Sequence, residues 1–311
     1  DIQAAPFHFD QVTQLLQLHG SDYITFGYIQ ILIKYFSGLY QVFRMHCIME
    51  FVLNPLLPLS GFAVGVLVGL TGVGGGSLMT PLLVLLFGFK PATAVGTDLL
   101  YAAITKAGGS WVHQRHGNID WAITGRLALG SVPAAALTLL LLAQLGIKDH
   151  GATGFISMVL GFALLLTAAS LFFRQRLLDL ARRRSASADF SHRHVAGATV
   201  IVGAIVGALV TISSVGAGAL GVTALSFLYP QLATRRIVGS DIAHAVPLTF
   251  VAGLGHWWLG TVDVVLLVSL LIGSLPGIAL GAHFAARVPE RALRGLLASV
   301  LLLVGGKLIL A

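Results

Sequence analysis

The chain has 311 residues, of which 56% are hydrophobic and 10% are charged, and its mean hydropathy is +0.89. This composition excludes an ordinary soluble globular protein and indicates an all-α, polytopic membrane protein. The formal net charge is +7, and the single cysteine, Cys47, excludes disulfides and any metal or iron–sulfur centre built from several cysteines.

Residues 1–48 contain Cys47 and match nothing later in the chain. Within them, residues 24–43 are long enough to span a bilayer, but Lys34 and several polar side chains make insertion marginal. We therefore expect residues 1–48 to be an N-terminal extension that the function does not need, with the functional chain starting at Met49.

Ten apolar runs with short polar breaks fill the chain after residue 50. A spanning helix needs about 20 predominantly apolar residues, so most of the runs are long enough to cross a bilayer. Two runs, 77–89 and 217–229, are short, which predicts broken or short helices there. The other predicted segments are 51–71, 93–113, 121–145, 151–173, 195–213, 237–258, 262–286 and 292–310.

A basic segment, residues 174–194, separates the first five runs from the last five. It contains six arginines against only two acidic residues, Asp179 and Asp189. Such a charge run could bind nucleic acid, but in a membrane protein the positive-inside rule predicts a cytoplasmic loop. We interpret this segment as a basic cytoplasmic linker and expect no nucleic-acid partner.

The two sets of runs resemble each other when the chain is shifted against itself by about 142 residues. The motif GVGGGSL at 72–78 then falls on SVGAGAL at 214–220, and VGTD at 95–98 falls on VGSD at 238–241. Internal repeats of this kind are typical of secondary transporters. We predict two homologous repeats of about five helical segments each. The predicted repeats are residues 49–173 and 195–311.

The orientation of the repeats depends on whether the short runs cross the membrane. If every run crosses once, Arg235 and Arg236 fall on the same side as the basic linker, and the repeats are inverted. If the short runs are re-entrant, the repeats are parallel and these arginines fall outside. The positive-inside rule favours the inverted arrangement, although it leaves Lys90 and Lys148 outside.

Each repeat contains a glycine-rich stretch between two apolar runs. A broken helix frees backbone N–H groups, and the next helix adds the positive end of its dipole, so two converging breaks can form an anion site. Close helix packing through small residues is the alternative explanation. The residues expected to bind substrate here are Gly72, Val73, Gly74, Gly75, Gly76 and Ser77, with Ser213, Ser214, Gly216, Ala217 and Gly218 in the second copy.

The stretch GLTGVGGGSLMTPLLVLLFGFKPATAVGTDLLYAAITKAGGSWVHQRHGNIDW at 69–121, with the matching pattern at 207–263, resembles the sulfite exporter TauE/SafE family, also called the 4-toluene sulfonate uptake permease family. The resemblance covers about residues 49–311. It implies a multi-pass transporter of the bacterial inner membrane that exports a small sulfur-containing anion, such as sulfite or an organosulfonate. The expected partners are this small anion and the lipid bilayer, and the oligomeric state is left open.

Two acidic residues, Asp98 and its counterpart Asp241, depart from the family pattern, which often has serine at this place. An ionised carboxylate inside a membrane is costly, so we expect both to couple transport to protons. Helical spacing places Tyr101 beside Asp98 and His244 beside Asp241, as in proton relays. A neutral carboxylic acid that bonds one helix to another is the alternative.

Three further polar residues complete the expected site. Lys106 is eight residues past Asp98, too far along the helix to pair with it directly, but it can add positive charge to an anion path. Thr97 and Ser240 precede the two aspartates and are expected to bind substrate. His113 and His256 match across the repeats and are expected to cap helix ends at the membrane interface.

Two other functions compete with a coupled transporter. A passive anion channel would use the same glycine-rich site without coupling carboxylates. An intramembrane serine hydrolase built from Ser213 or Ser214 with His244 is less well supported, because the chain contains no G-x-S-x-G motif. The sequence also contains no P-loop and no metal-ligand motif, so we expect neither an enzyme nor any cofactor or metal.

Overall fold

Ten helices make up the described part of the chain, and that part contains no strand. The computed structural model describes residues 56–71, 76–145, 150–173, 176, 192–284 and 290–310, all within the unit Asn54–Ala311. The all-α prediction is confirmed. The predicted extension 1–48 and nearly all of the linker 174–194 lie outside the described residues. The helices are α1 Leu56–Thr71, α2 Gly76–Leu85, α3 Pro91–Arg115, α4 Trp121–Gln144, α5 His150–Phe172, α6 His192–Ser213, α7 Ala219–Leu228, α8 Thr234–Trp258, α9 Val264–Phe284 and α10 Glu290–Leu310.

The outer helices are apolar on the surface that faces away from the protein. Large hydrophobic side chains such as Leu129, Leu137 and Leu166 are more than half exposed, as suits contact with lipid rather than water. Among the described residues, five helical segments are long and apolar enough to cross a membrane. They are Trp121–Gln144, Gly154–Phe172, His194–Ser213, Thr234–Trp258 and Val264–Gly281. The chain is therefore a multi-pass membrane protein, as predicted.

The two predicted short runs are short helices. α2 and α7 have 10 residues each. At about 1.5 Å of rise per residue, such a helix covers only about half of the hydrocarbon core. The chain before α7 follows an irregular path from Ser214 to Gly218. Ser214 and Val215 of this segment are buried, and the interior of the protein or a cavity wall is where a membrane protein tolerates an irregular backbone.

Helices α3 and α8, of 25 residues each, form the antiparallel pair at the centre. Gly96 near the start of α3 lies against His256 near the end of α8, and Gly239 near the start of α8 lies against His113. α3 is the least apolar of the long helices, because it contains both an aspartate and a lysine. All residues from 91 to 103 except Thr93 are buried, and Lys106 is buried as well, so these charges face protein rather than lipid.

Local signals fix where these central helices and their neighbours begin. Pro91 lies at the start of α3, where its missing N–H and fixed φ cost nothing. Asp120 accepts hydrogen bonds from two N–H groups at the start of α4, and Asp263 accepts one from Leu266 at the start of α9. Asp98 and Asp241 are each the eighth residue of their helix, so they lie at corresponding positions along α3 and α8.

Glycines allow other helix pairs to pack backbone against backbone. Gly203 and Gly207 of α6 lie against the main chain of Leu127 and Ser131 in α4, so these two helices run parallel. Such close approach is typical of membrane helices, where small residues replace the hydrophobic driving force. α1 and α9 pack in the same parallel way through Gly61, Gly65, Gly273, Gly277 and Gly281.

Replacing Gly207 with valine should destabilise the protein strongly. A Cβ at this position would overlap the carbonyl of Ser131, and a backbone cannot move aside as a flexible side chain can. We expect a loss of at least about 1–3 kcal/mol, the usual cost of overpacking. The measurement is thermal unfolding in detergent, followed by size-exclusion chromatography. Gly197→Val in the same helix is the matched control, because no atom lies within 4 Å of a Cβ there. Equal melting temperatures for both variants would contradict the packing.

Candidate substrate and coupling site

The helix break before α7 is built from left-handed backbone conformations. Gly216 and Gly218 have φ values of 124° and 119°, and Ser214 has a φ of 57°, which is uncommon for a residue with a side chain. The Ser213 hydroxyl accepts a hydrogen bond from the N–H of Val215 at 3.2 Å and so holds the first bend. Glycine is required where the chain turns back into α7.

This break leaves backbone donors free. In the described part of the chain, the N–H groups of Gly216, Ala217 and Ala219 have no acceptor. The N–H of Gly218 faces the carboxylate of Asp241. Ser214 is 5% exposed, and its hydroxyl has no hydrogen-bond partner. Several buried donors therefore meet at the N-terminal end of α7.

Asp98 is completely buried where α3 contacts α2. The hydroxyl of Thr80 donates a hydrogen bond to its Oδ2 at 2.5 Å, whereas its Oδ1 has no partner. Ser214, from the break in the second half, lies close to the same carboxylate. The first half's aspartate thus contacts the second half's helix break.

Asp241 is also buried, with 1% of its surface exposed, and neither of its carboxylate oxygens is hydrogen-bonded. Gly221 of α7 lies directly against it, so that a Cβ there would overlap the carboxylate. The Gly218 N–H is the backbone donor that faces it, and a buried carboxylate with so few donors is costly when ionised. Its surroundings suit the neutral acid or a site completed by another group.

Lys106 is the buried cation of this region, with 6% of its side chain exposed. Its Nζ donates a hydrogen bond to the carbonyl of Ala217, in the break, at 3.4 Å. It lies within electrostatic range of both Asp98 and Asp241 without forming a salt bridge to either. The sequence spacing correctly predicted that Lys106 does not pair directly with Asp98, and the structure joins it to the break.

Tyr101 and His244 occupy matching positions next to the two aspartates. The Nε2 of His244 is 2.8 Å from the hydroxyl of Ser131, whereas its Nδ1 has no partner. Tyr101 lies close to Ser274, but its hydroxyl forms no hydrogen bond. Both side chains are completely buried. Each one therefore faces a serine of the other half.

Thr97 and Ser240 bind the opposite half of the protein through their hydroxyls. The Thr97 Oγ1 accepts a hydrogen bond from the N–H of Asp263 at 3.0 Å, and the Ser240 Oγ accepts one from the N–H of Asp120 at 2.8 Å. These reciprocal bonds anchor the starts of α9 and α4. They give both hydroxyls a structural partner, which the sequence did not indicate.

His256 lies in the last turn of α8 and is completely buried. Its Nε2 is 3.0 Å from the carbonyl of Thr211 near the end of α6, and its Nδ1 is 2.9 Å from the hydroxyl of Thr261, just beyond α8. That it caps a helix end at the membrane interface stays a prediction. His113, its counterpart, is only partly buried.

Part of the predicted site lies outside the described residues, namely Gly72, Val73, Gly74 and Gly75. Helix α2 begins with the next two predicted residues, Gly76 and Ser77. Sequence reasoning missed several contacts of the cluster, those of Thr80, Ser131, Ser274 and Gly221. The two serines could have been found, because the motifs GSVP and GSLP that contain them match across the repeats.

The described residues contain no group of three or more His, Cys, Asp or Glu side chains that could hold a metal ion. The cluster consists instead of a lysine, two carboxylates and free backbone donors, a set suited to anions and protons.

Comparison with known proteins identifies the class of molecule that carries this cluster. The family model described as Sulfite exporter TauE/SafE matches residues 57–308. The chain belongs to this family. The resemblance seen in the sequence is therefore confirmed. No solved structure matches the chain.

Several proteins similar in sequence to this TauE/SafE chain are named as membrane transporters. The probable membrane transporter protein YjnA of Bacillus subtilis (strain 168) is 39% identical over 251 residues, which cover 81% of this chain and 98% of the relative. The probable membrane transporter protein YdhB of the same organism is 30% identical over 243 residues, covering 77% and 93%. The probable membrane transporter protein MJ0441 of Methanocaldococcus jannaschii is 23% identical over 270 residues, covering 82% and 94%. The chain is a multi-pass membrane transporter with a small-molecule substrate.

Proposed function

We propose that this TauE/SafE protein is a proton-coupled secondary transporter that exports a small sulfur-containing anion, such as sulfite or an organosulfonate, across the bacterial inner membrane. The observation that carries the proposal is Lys106, a buried cation that reaches the helix break within range of Asp98 and Asp241. A buried ammonium needs a negative partner, and a buried carboxylate can carry a proton.

The break supplies the remaining donors for a compact oxyanion. The N–H groups of Gly216, Ala217 and Ala219 have no acceptor among the described residues, and the Ser214 hydroxyl is also free. The positive end of the α7 dipole lies at the same place. An anion bound here would contact backbone donors on one side and the Lys106 ammonium on the other. The glycine-rich stretch 72–77 would supply the matching donors of the first half.

The directions of the packed helices support inverted repeats. If each helix crosses the membrane in turn, α3 and α8 run in opposite directions, whereas α4 and α6 run in the same direction. The packing has both properties. If α2 and α7 were re-entrant, α3 and α8 would run in the same direction. Inversion places the two breaks on one central site, as in other secondary transporters.

The same arrangement fixes which side each loop faces. A single cysteine placed at Gln231, before α8, should be labelled by a membrane-impermeant thiol reagent only from the cytoplasm. One placed at Trp258, at the end of α8, should be labelled only from outside, because Arg235 and Arg236 hold the start of the helix inside. The background is a variant in which Cys47 is replaced by serine. Labelling of position 231 from outside would favour re-entrant short helices.

Uptake by proteoliposomes tests the function itself. The purified full chain is reconstituted and offered sulfite, sulfate, thiosulfate, methanesulfonate and small carboxylates, with and without a pH gradient. We expect uptake of one or more sulfur-containing anions that an inwardly directed proton gradient accelerates. Uptake that ignores the gradient would indicate a passive anion channel, and uptake of none of these anions would contradict the proposal.

A further inference from the structure

We propose that this protein moves a monovalent anion together with one proton in the same direction, so that a complete transport step carries no net charge and export is driven by the outward gradient of the anion itself. The inference rests on the proposed function and deepens it, because it names the charge of the substrate and the stoichiometry of coupling. It follows from the charges that the fold buries around Lys106.

The buried titratable side chains of the described chain are few. Around Lys106 they are Asp98, Tyr101, Asp241 and His244, while His256 is held at the far end of α8 by two threonines. The other described helices that pack on α3 and α8 bury no further acid or base and contribute only serines and threonines, such as Thr80 and Ser131. The charge of the cluster is therefore set by one lysine and two carboxyl groups, because a second buried cation at His244 would lie beside Lys106 with no partner for its Nδ1.

Burial favours states of this cluster that have no net charge, since each uncompensated buried ion costs several kcal/mol even after relaxation. In the empty site, Lys106 is balanced when one carboxyl group of the pair is ionised and the other is protonated. A monovalent anion that binds Lys106 would add a second negative charge. Neutrality is restored when the ionised carboxylate takes up one proton, so that the anion replaces the carboxylate as the counter-ion of the lysine.

The contacts of the three side chains permit this exchange. The described hydrogen bond of the Lys106 Nζ is a long one, 3.4 Å to the Ala217 carbonyl, and an ammonium has three N–H donors. Neither carboxylate is tied to it by a salt bridge. Three of the four carboxylate oxygens, both on Asp241 and Oδ1 of Asp98, form no hydrogen bond of good geometry and have only the Gly218 N–H and the Ser214 hydroxyl as neighbouring donors, so they can accept a proton without breaking a strong bond. A divalent anion would leave one charge uncompensated, so the expected substrate is a monovalent oxyanion such as a sulfonate or hydrogensulfite.

The test measures the charge and the protons that move with the substrate. Methanesulfonate is the probe, because it remains a monovalent anion at working pH and any proton that accompanies it is carried by the protein. Hydrogensulfite at mildly acidic pH is measured in parallel. Proteoliposomes of the full chain contain a fluorescent pH indicator, and potassium with valinomycin sets the membrane potential. For a step that moves one charge, about 100 mV changes the accumulation ratio about 50-fold.

We expect wild-type accumulation to be independent of voltage and to acidify the lumen by one proton per anion. The control pair Asp120→Asn and Asp263→Asn, whose side chains cap the starts of α4 and α9, should retain this behaviour. The double variant Asp98→Asn and Asp241→Asn should still exchange internal for external anion, but its net uptake should follow voltage and bring no proton. Elution of the double variant at the wild-type volume in size-exclusion chromatography shows that it folds.

Several results would overturn the inference. Voltage-dependent accumulation in the wild type, or proton uptake that persists in the double variant, means that other groups balance the charge. Faster transport of divalent sulfate than of both monovalent probes would contradict the expected substrate. These failures differ from failure of the proposed function, in which the wild type takes up no anion at all.

Discussion

Replacing Lys106 with methionine should abolish anion binding. Methionine fills a similar volume, but the buried site loses the cation that reaches the helix break at Ala217. A hydrogen bond to a charged group contributes about 1.5–3 kcal/mol, and the lost charge attraction adds to it. Affinity should therefore fall at least about tenfold from the hydrogen bond alone, and further from the lost attraction, since each 1.4 kcal/mol is a factor of ten. Isothermal titration of the purified protein with the transported anion measures it.

Lys90→Met is the matched control for this variant. Lys90 is exposed at the start of the same helix, so its loss removes the same charge from the protein without touching the cluster. Its affinity should equal that of the wild type. If Lys106→Met elutes as a folded protein and binds the anion normally, Lys106 is not part of the site.

Replacing both Asp98 and Asp241 with asparagine should leave anion binding largely intact but remove its dependence on pH. If binding takes up one proton, as proposed, the affinity of the wild type should be highest at low pH. Above the range in which the carboxyl group ionises, linkage makes it fall about tenfold for each pH unit. Asparagine is close in shape to the neutral acid and cannot ionise. The double variant should bind with one affinity at two pH values at which the wild type differs clearly.

The pair Asp120→Asn and Asp263→Asn provides the control. These aspartates also correspond across the two halves, but they cap the starts of α4 and α9 away from Lys106. Asparagine is an equally good helix cap, so stability should change little. This control should keep the pH dependence of the wild type. If the Asp98 and Asp241 double variant keeps it as well, the aspartates do not couple protons to binding.

The sequence predicted the helices well because apolar runs of membrane length have few alternatives. The predicted short run 217–229 is α7 Ala219–Leu228, and the run 237–258 is α8 Thr234–Trp258. α8 begins at Thr234, three residues before the predicted run, because its first turn contains the exposed and polar Arg235 and Arg236, which an apolar pattern does not include. The all-α, multi-pass class was predicted for the same reason, whereas the family was predicted from the resemblance carried by the motifs at 69–121 and 207–263.

The contacts within the site could not be predicted in this way. The lysine bond joins residues 106 and 217, and the histidine bond joins Ser131 and His244. Both bonds join residues that are more than 100 positions apart in the sequence. They depend on how α3 packs against α7 and α8 and on how α4 packs against α8, and hydrophobic periodicity does not encode this packing. Spacing placed Thr97 and Ser240 near the aspartates, but only packing revealed that their hydroxyls bind backbone N–H groups of the other half.

The glycine-lined helix pairs have a consequence for what the two halves are to each other. α1 belongs to the first half and packs on α9 of the second, while α6 of the second half packs on α4 of the first. Neither half has a separate hydrophobic core, because one helix of each half packs against a helix of the other half. The halves are therefore held together by the helix surfaces they share, and not only by the chain segment 174–194 that joins them.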